Sequence, residues 1–225
     1  MGTMKINFEK AVSYIGTLYE NDEACKKKYL GSTELKTFGT VVDSDVSRMM
    51  QILLRLARPH RILEIGTSIG YSTVSMAVIA KEYGGRITTI EYDGQSAQQA
   101  IKNFRHAGVA ECIEVIVGDA KEIIPTLNER YDLIFQDVGD KTLYPVLLDS
   151  LVALLKPGGV FLAEDSLFPV MDVTASGSGD RDQILRMKRS SESLEEFNRM
   201  VARSPLLRST ILPVGDGLTI GIKTG

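Results

Sequence analysis

Ile62-Leu63-Glu64-Ile65-Gly66-Thr67-Ser68-Ile69-Gly70-Tyr71-Ser72 is an apolar run carrying one acid, broken by a glycine loop and followed by a helix-length stretch. The apolar part predicts a buried strand over Arg61 to Ile65, and the change of pattern after Gly70 predicts a helix. Gly66 allows a tight turn and the close approach of a ligand. Gly70 allows close packing at the helix N-terminus, where free N–H groups face outward. The strict G-x-G-x-x-G fingerprint of dinucleotide-binding loops fails here, because Ser68 stands where a glycine would approach the pyrophosphate. Glu64 would in addition repel a pyrophosphate.

Outward from this unit the same pattern repeats. Arg86 to Glu91, Ile113 to Val117, Tyr131 to Gln136 and Gly159 to Ala163 are further strand candidates, with helices after the first four of the five runs. Strands alternating with helices predict a Rossmann-like, doubly wound α/β sheet with helices on both faces. Leu206 to Pro213 and Leu218 to Lys223, joined by Val214-Gly215-Asp216-Gly217, predict a C-terminal antiparallel hairpin. The sheet thus has about seven strands, mostly parallel. Before it, Phe8, Val12, Ile15 and Leu18, then Met49, Ile52, Leu53 and Leu56, recur at helical spacing; Gly31 to Asp45 reads as a loop, with Asp43 or Ser44 as the following cap. The chain of 225 residues is expected as a single domain, 1–225: N-terminal helices 5–58, a core 59–170, a lid 171–193 with Ser, Gly and Asp followed by charge, and a helix and hairpin 194–225.

Composition excludes several classes. With 26 Lys plus Arg against 29 Asp plus Glu the net charge is −3, which gives no basic footprint for general nucleic-acid binding. Cys25 and Cys112, the 2 cysteines, form neither a disulfide framework nor a zinc motif, and a reduced, cytoplasmic setting fits them. No apolar run reaches the roughly 20 residues of a membrane span, and no secretory pattern opens the chain. Met1-Gly2-Thr3 reads as a remnant ahead of a start at Met4.

Acids stand at the ends of successive strand candidates. Glu91 can accept from both hydroxyls of a ribose; Asp119 can accept from an adenine amino group while Ala120 packs on the ring. Each acid alone reads equally as a helix cap. Glu64 can order water and amino groups around a positively charged ligand without phosphate, and S-adenosylmethionine is such a ligand. Asp137, Glu164 and Asp165 follow the fourth and fifth strands and form an all-oxygen set suited to a hard divalent cation. The two histidines, His60 and His106, fall on packing or surface positions, the methionines at helical spacing are core filler, and Arg186-Met187-Lys188-Arg189 is a solvated basic patch.

These residues resemble the cation-dependent O-methyltransferases of the caffeoyl-CoA and catechol type, including their bacterial relatives, over nearly the whole chain. The stretch from Leu63-Glu64-Ile65-Gly66 through Gly70-Tyr71-Ser72 is similar to the family's cofactor motif, and Lys156-Pro157-Gly158-Gly159 to its turn before strand five. Glu196-Phe197-Asn198-Arg199 and Leu212-Pro213-Val214-Gly215-Asp216-Gly217-Leu218-Thr219-Ile220 resemble its last helix and final hairpin.

The resemblance implies that Gly66, Thr67, Ser68, Gly70, Tyr71 and Ser72 cradle S-adenosylmethionine with Glu64, Glu91, Asp119, Ala120 and Asp137, and that Val41, Val42 and Asp43 flank it. It implies a metal site of Asp137, Glu164 and Asp165 for Mg²⁺, or Mn²⁺ or Ca²⁺. Glu164 and Asp165 take the places of the family's Asp and Asn, so one side chain is longer by a methylene and the other adds a charge. The family's lysine comes three positions after its first metal-binding Asp; here Lys141 comes four after Asp137, so either Lys141, as general base, or Asp140 faces the acceptor. The implied reaction is methylation of a hydroxyl on a small catechol-like or phenolic acceptor, with Phe168 and the 173–193 segment as the acceptor wall. A hydroxylated base of transfer RNA, guided by Arg181 to Arg189, is the alternative acceptor, and a cofactor-binding sensor or partner subunit without turnover is the second alternative. A homodimer is implied, and the apolar stripe before Gly31 suits its contact.

Overall fold

The computed structural model describes residues 7–171 and 181–225. Met1 to Thr3 and the first half of the expected lid lie outside the described residues. The chain divides into two compact units, one ending at Glu34 and the other running from Leu35 to Gly225.

The first unit holds α1 (Phe8–Leu18) and α2 (Glu20–Ser32). Asn7 caps α1, its Oδ1 accepting from the Lys10 N–H at 2.9 Å, and Glu20, Asp22 and Glu23 place negative charge at the positive end of the α2 dipole.

The second unit begins with a loop and α3 (Ser44–Ala57), then alternates β1 (Arg61–Ile65), α4 (Tyr71–Lys81), β2 (Arg86–Glu91), α5 (Gly94–His106), β3 (Ile113–Val117), α6 (Ala120–Ile123), β4 (Tyr131–Gln136), α7 (Leu143–Leu154) and β5 (Leu155–Ala163), and closes with α8 (Arg181–Arg203), β6 (Leu207–Leu212) and β7 (Leu218–Lys223). The strands form one seven-stranded sheet in the order β3-β2-β1-β4-β5-β7-β6. The first five strands are parallel; β7 pairs antiparallel with both β5 and β6. The order reverses between β1 and β4, and a crevice opens beyond their carboxyl ends.

Both sheet faces are buried. Ile62, Leu133, Phe135 and Leu162 pack under α3, α4 and α5 with Met50, Met76 and Phe104, while Leu63, Ile65, Ile134 and Phe161 pack against Tyr144 and Leu151 of α7 and Leu194 and Phe197 of α8. Successive residues of one strand feed opposite layers, which is why these runs are apolar throughout rather than alternating.

Three expected boundaries shift. β5 starts at Leu155, not Gly159, with a bulge between the pairs Tyr131↔Leu155 and Leu133↔Val160 that absorbs Pro157 and Gly158. The loop expected over Gly31 to Asp45 shrinks to 33–43, because Gly31 is tolerated in the last turn of α2 and α3 begins at Ser44 behind Asp43. Residues 181–193 of the expected lid segment are helical and belong to the 23-residue helix α8, in which Arg, Lys, Glu and Leu all favour helix.

Gly70 holds α4 against α5. Its φ is +85°, and a Cβ there would stand 2.3 Å from Phe104 Cε1. Gly70→Ala is expected to lower stability by about 2 kcal/mol or more through backbone strain and overpacking together. Urea denaturation measures this as a lower midpoint at unchanged slope; a loss under about 0.5 kcal/mol would show that the loop yields freely.

Candidate active site

The crevice is built where the backbones after β1 and β4 touch. Gly66 has φ +96°, and a Cβ on it would lie 2.0 Å from the Asp137 carbonyl oxygen. No other residue fits, because any side chain would push the two strand ends apart. The ladders run on past the strands here: Gly66 N–H donates to Ile90 O at 2.9 Å and Asp137 N–H to Ile65 O at 2.9 Å. Ser68 takes a left-handed conformation, φ +49°, in the turn that follows.

Glu64 has no exposed surface and lines neither of the two crevice cavities described below. The expectation that it orders groups around a ligand gives way to an inner role. Its Oε1 accepts from Ser72 Oγ at 2.6 Å and its Oε2 from Thr89 Oγ1 at 2.6 Å and from Thr73 Oγ1, so one carboxyl ties β1 and β2 to the first turn of α4. Burial pushes its pKa up to about 7 against the pull of these hydroxyls, and Asp137 adds to the rise.

Glu91 stands at the end of β2. Its Oε2 accepts from the amides of Thr67 at 3.0 Å and Ser68 at 2.7 Å, and its Oε1 from the Asp93 amide at 2.8 Å. It stiffens the glycine loop and also lies on the boundary of two cavities. One, of about 480 Å³, is lined by Val42, Ser68, Tyr71, Ser72 and Lys141. The other, of about 540 Å³, is lined by Asp119, Ala120, Val138 and Asp140. Gly66, Glu91 and Gly139 border both. Asp119 also caps α6, its Oδ1 accepting from the Lys121 amide at 2.9 Å. Thr67 is buried, its hydroxyl 2.6 Å from that of Thr89.

Asp137, Glu164 and Asp165 converge beside the first cavity, each offering a carboxylate oxygen within 4.8 Å of the others. β4 and β5 are hydrogen-bonded neighbours, so the residues after them meet; Glu164 N–H donates to Gln136 O at 3.1 Å. Asp165 has φ +62°, a conformation that Asp and Asn tolerate better than most residues. Glu164 is 5% exposed and turns its extra length toward the β6–β7 turn, where the Asp216 amide donates to its Oε1 at 3.3 Å. Burial, then Asp165, Asp137 and Asp216, push its pKa up to about 9. Burial likewise lifts Asp137 to about 6, although Lys141 pulls the other way.

Of Asp140 and Lys141, it is Lys141 that meets the acids. Its ammonium contacts Asp165 Oδ2 and stands 3.7 Å from Asp137 Oδ1, and 5.3 Å from the centre of the Tyr144 ring. Asp140 is exposed and instead caps the next turn, accepting from Thr142 N at 3.0 Å and Oγ1 at 2.7 Å. Burial disfavours the Lys141 charge, but Asp137, Asp165 and Glu164 outweigh it and hold the pKa above that of an ordinary lysine.

Phe168, expected in the acceptor wall, lines neither of these two cavities and packs against the core. His60 lies edge-on to Tyr83 at 5.7 Å, and His106 ends α5 on the surface. Sequence reasoning missed Asp216 as a neighbour of the acids, and the Thr37 to Thr40 loop and Gln95 as cavity walls. The Asp-Gly turn signal was visible; its landing beside β5 depends on β7, not β6, being the strand that pairs there.

The family model for O-methyltransferases matches residues 19–224. The chain belongs to the O-methyltransferase family. It is 30% identical over 230 residues to a catechol O-methyltransferase of Niastella koreensis, covering 96% of this chain and 97% of the relative. It is also 30% identical over 211 residues to a caffeoyl-CoA O-methyltransferase of Populus kitakamiensis, covering 90% and 84%. The SAH-bound methyltransferase of Podospora anserina superimposes over 100% of both chains with a TM-score of 0.80 at 22% identity, which supports the fold. Among the described residues of this methyltransferase, no helix is long and apolar enough to cross a membrane.

The Glu64 pKa of about 7, raised from an ordinary 4.5, sets a pH dependence. The folded state holds this proton more tightly than the unfolded one, so the contribution is fully present below pH 4.5 and is lost as pH rises through 7, about 3 kcal/mol in all. Glu64→Gln stays neutral throughout and is expected to gain on the native protein by up to that amount between about pH 5 and 8. Urea unfolding of both proteins at the two pH values checks it; a constant difference would show that Glu64 does not carry the dependence.

Proposed function

We propose that this O-methyltransferase transfers the methyl group of S-adenosylmethionine to a hydroxyl of a small catechol-like or phenolic acceptor, with Mg²⁺, or Mn²⁺ or Ca²⁺, held by Asp137, Glu164 and Asp165. The observation that carries the reading is the position of Asp137, which belongs both to the acid cluster and to the wall of the cavity beside Glu91. Acceptor chemistry and methyl-donor binding therefore share one wall.

The residues fit both groups. Two cavities meet at Gly66 and Glu91, where a Cβ on Gly66 would fill the passage and clash with the chain. Oxygens around one hard divalent cation lie about 2.0–2.6 Å from it and so up to about 4–5 Å from one another, which the 4.8 Å spread of the cluster satisfies. Like-charge crowding in a buried place is also what a bound cation relieves. When bound, the cation lowers the pKa of an acceptor hydroxyl and fixes it for attack.

The rest falls to the chain. Glu91 Oε1 takes one amide and keeps lone pairs for ribose hydroxyls. Asp119 is placed to accept from an adenine amino group and Ala120 to cover the ring, while Val42, Tyr71 and Ser72 line the opposite cavity. Glu64 acts from beneath by fixing the first turn of α4. Lys141 Nζ, at the cavity wall, takes the hydroxyl proton as the neutral amine, having first given its own proton to solvent when its carboxylate partners are otherwise neutralised. The printed functions of the relatives, methylation of catechol and of caffeoyl-CoA, support an aromatic diol as acceptor. The same reading carries a cytoplasmic homodimer, which the stripe of Val12, Ile15 and Leu18 along α1 supports.

Labelled S-adenosylmethionine offered with catechols, caffeoyl esters and bulk transfer RNA, with Mg²⁺ or with a chelator, tests it. Metal-dependent labelling of a diol is expected, and Asp137→Asn is expected to lower kcat/KM by about 100-fold or more. Chelator-insensitive turnover would sink the metal assignment. Labelling confined to RNA would replace the acceptor, and cofactor binding without turnover on any acceptor would favour a sensor.

A further inference from the structure

Lys141 occupies ground that a cation would need. Its ammonium contacts Asp165 Oδ2 and lies 3.7 Å from Asp137 Oδ1, with side chains of Lys141 and Asp165 each only 13% exposed. A divalent ion bound by those same oxygens would stand about 2.0–2.6 Å from each. An ammonium in contact with one of them cannot stay beside it, for reasons of space and of repulsion between two cations in a poorly solvated place.

One partner of that clash can move and the others are tied. Asp165 sits on a left-handed backbone at the end of β5. Glu164 is buried and held by the Asp216 amide. Lys141 has a flexible four-carbon stem, stands in the turn before α7 rather than within a regular element, and lines the 480 Å³ cavity, so open space lies next to it.

We infer that the Lys141 ammonium and a divalent cation compete for the carboxylate oxygens of Asp137 and Asp165, so that entry of the cation releases Lys141 into the adjoining 480 Å³ cavity. The inference rests on the metal site proposed above. It makes Lys141 a resident counter-ion of the empty cluster, which keeps three buried acids together without metal. It also couples two requirements of the reaction, because the group that would take the acceptor's proton is freed by the event that fills the metal site.

The test uses the full chain with Mn²⁺. Binding is followed by loss of the free Mn²⁺ electron paramagnetic resonance signal, in the native protein and in Lys141→Met. Release is followed by acetylation of Lys141 with an amine-selective ester, read by mass spectrometry against the exposed Lys188, whose side chain is 72% exposed. Competition predicts that Lys141→Met binds Mn²⁺ tighter by about tenfold or more, and that in the native protein saturating Mn²⁺ speeds acetylation of Lys141 several-fold with Lys188 unchanged. Mn²⁺ bound with Lys141 as slow as before, or equal or weaker affinity in Lys141→Met, overturns the inference and leaves the metal site standing. Absence of Mn²⁺ binding in both proteins overturns the metal site and the inference with it. The acetylation arm needs no variant, so it decides even if Lys141→Met fails to fold.

Discussion

The structure depends on one close approach, that of Gly66 to the backbone of Asp137. The β1 and β4 ends can lie side by side at the point where the strand order reverses only because nothing projects from Gly66 toward the Asp137 carbonyl. Two cavities share Gly66 and Glu91 at this point. The contact also sets where Asp137 begins, and through Asp137 the position of the acid cluster relative to the glycine loop.

Around this constraint the chain buries more acid than a core ordinarily tolerates, and does so in two different ways. Glu64 is compensated by hydroxyls, three of them from three positions, so it acts as a rivet between β1, β2 and α4. Asp137, Glu164 and Asp165 are compensated by charge, through Lys141, and incompletely, as the upward shifts of Asp137 and Glu164 show. Hydroxyls suit a group whose only duty is to hold elements together.

The extra methylene of Glu164 and the extra residue in the loop before Lys141 are departures that the fold absorbs locally. Glu164 bends to the Gly215-Asp216 turn, where a glycine leaves room for its Oε1, and brings Asp216 into the field of the cluster. The longer loop lets Asp140 cap its own turn while Lys141 still reaches the acids. Neither change disturbs the sheet: the Glu164 N–H still donates to Gln136 O, and the turn that carries Asp140 and Lys141 lies beyond the carboxyl end of β4.

Periodicity and punctuation in the sequence by themselves determined the alternation of strands and helices, the glycine loop after β1, the acids at strand ends and the terminal hairpin. These are local properties: a run that is apolar on both faces has no other place than the middle of a sheet. Whether Glu64 faces a ligand or the interior, whether Lys141 or Asp140 meets the acids, and that Asp216 joins them were decided only in three dimensions. They depend on which strands become neighbours and on the side a side chain takes at a loop, where no repeat constrains direction. The helical character of residues 181–193 was obscured for a related reason, since a charged, solvated helix carries little apolar periodicity until Leu194 and Phe197 reach the core.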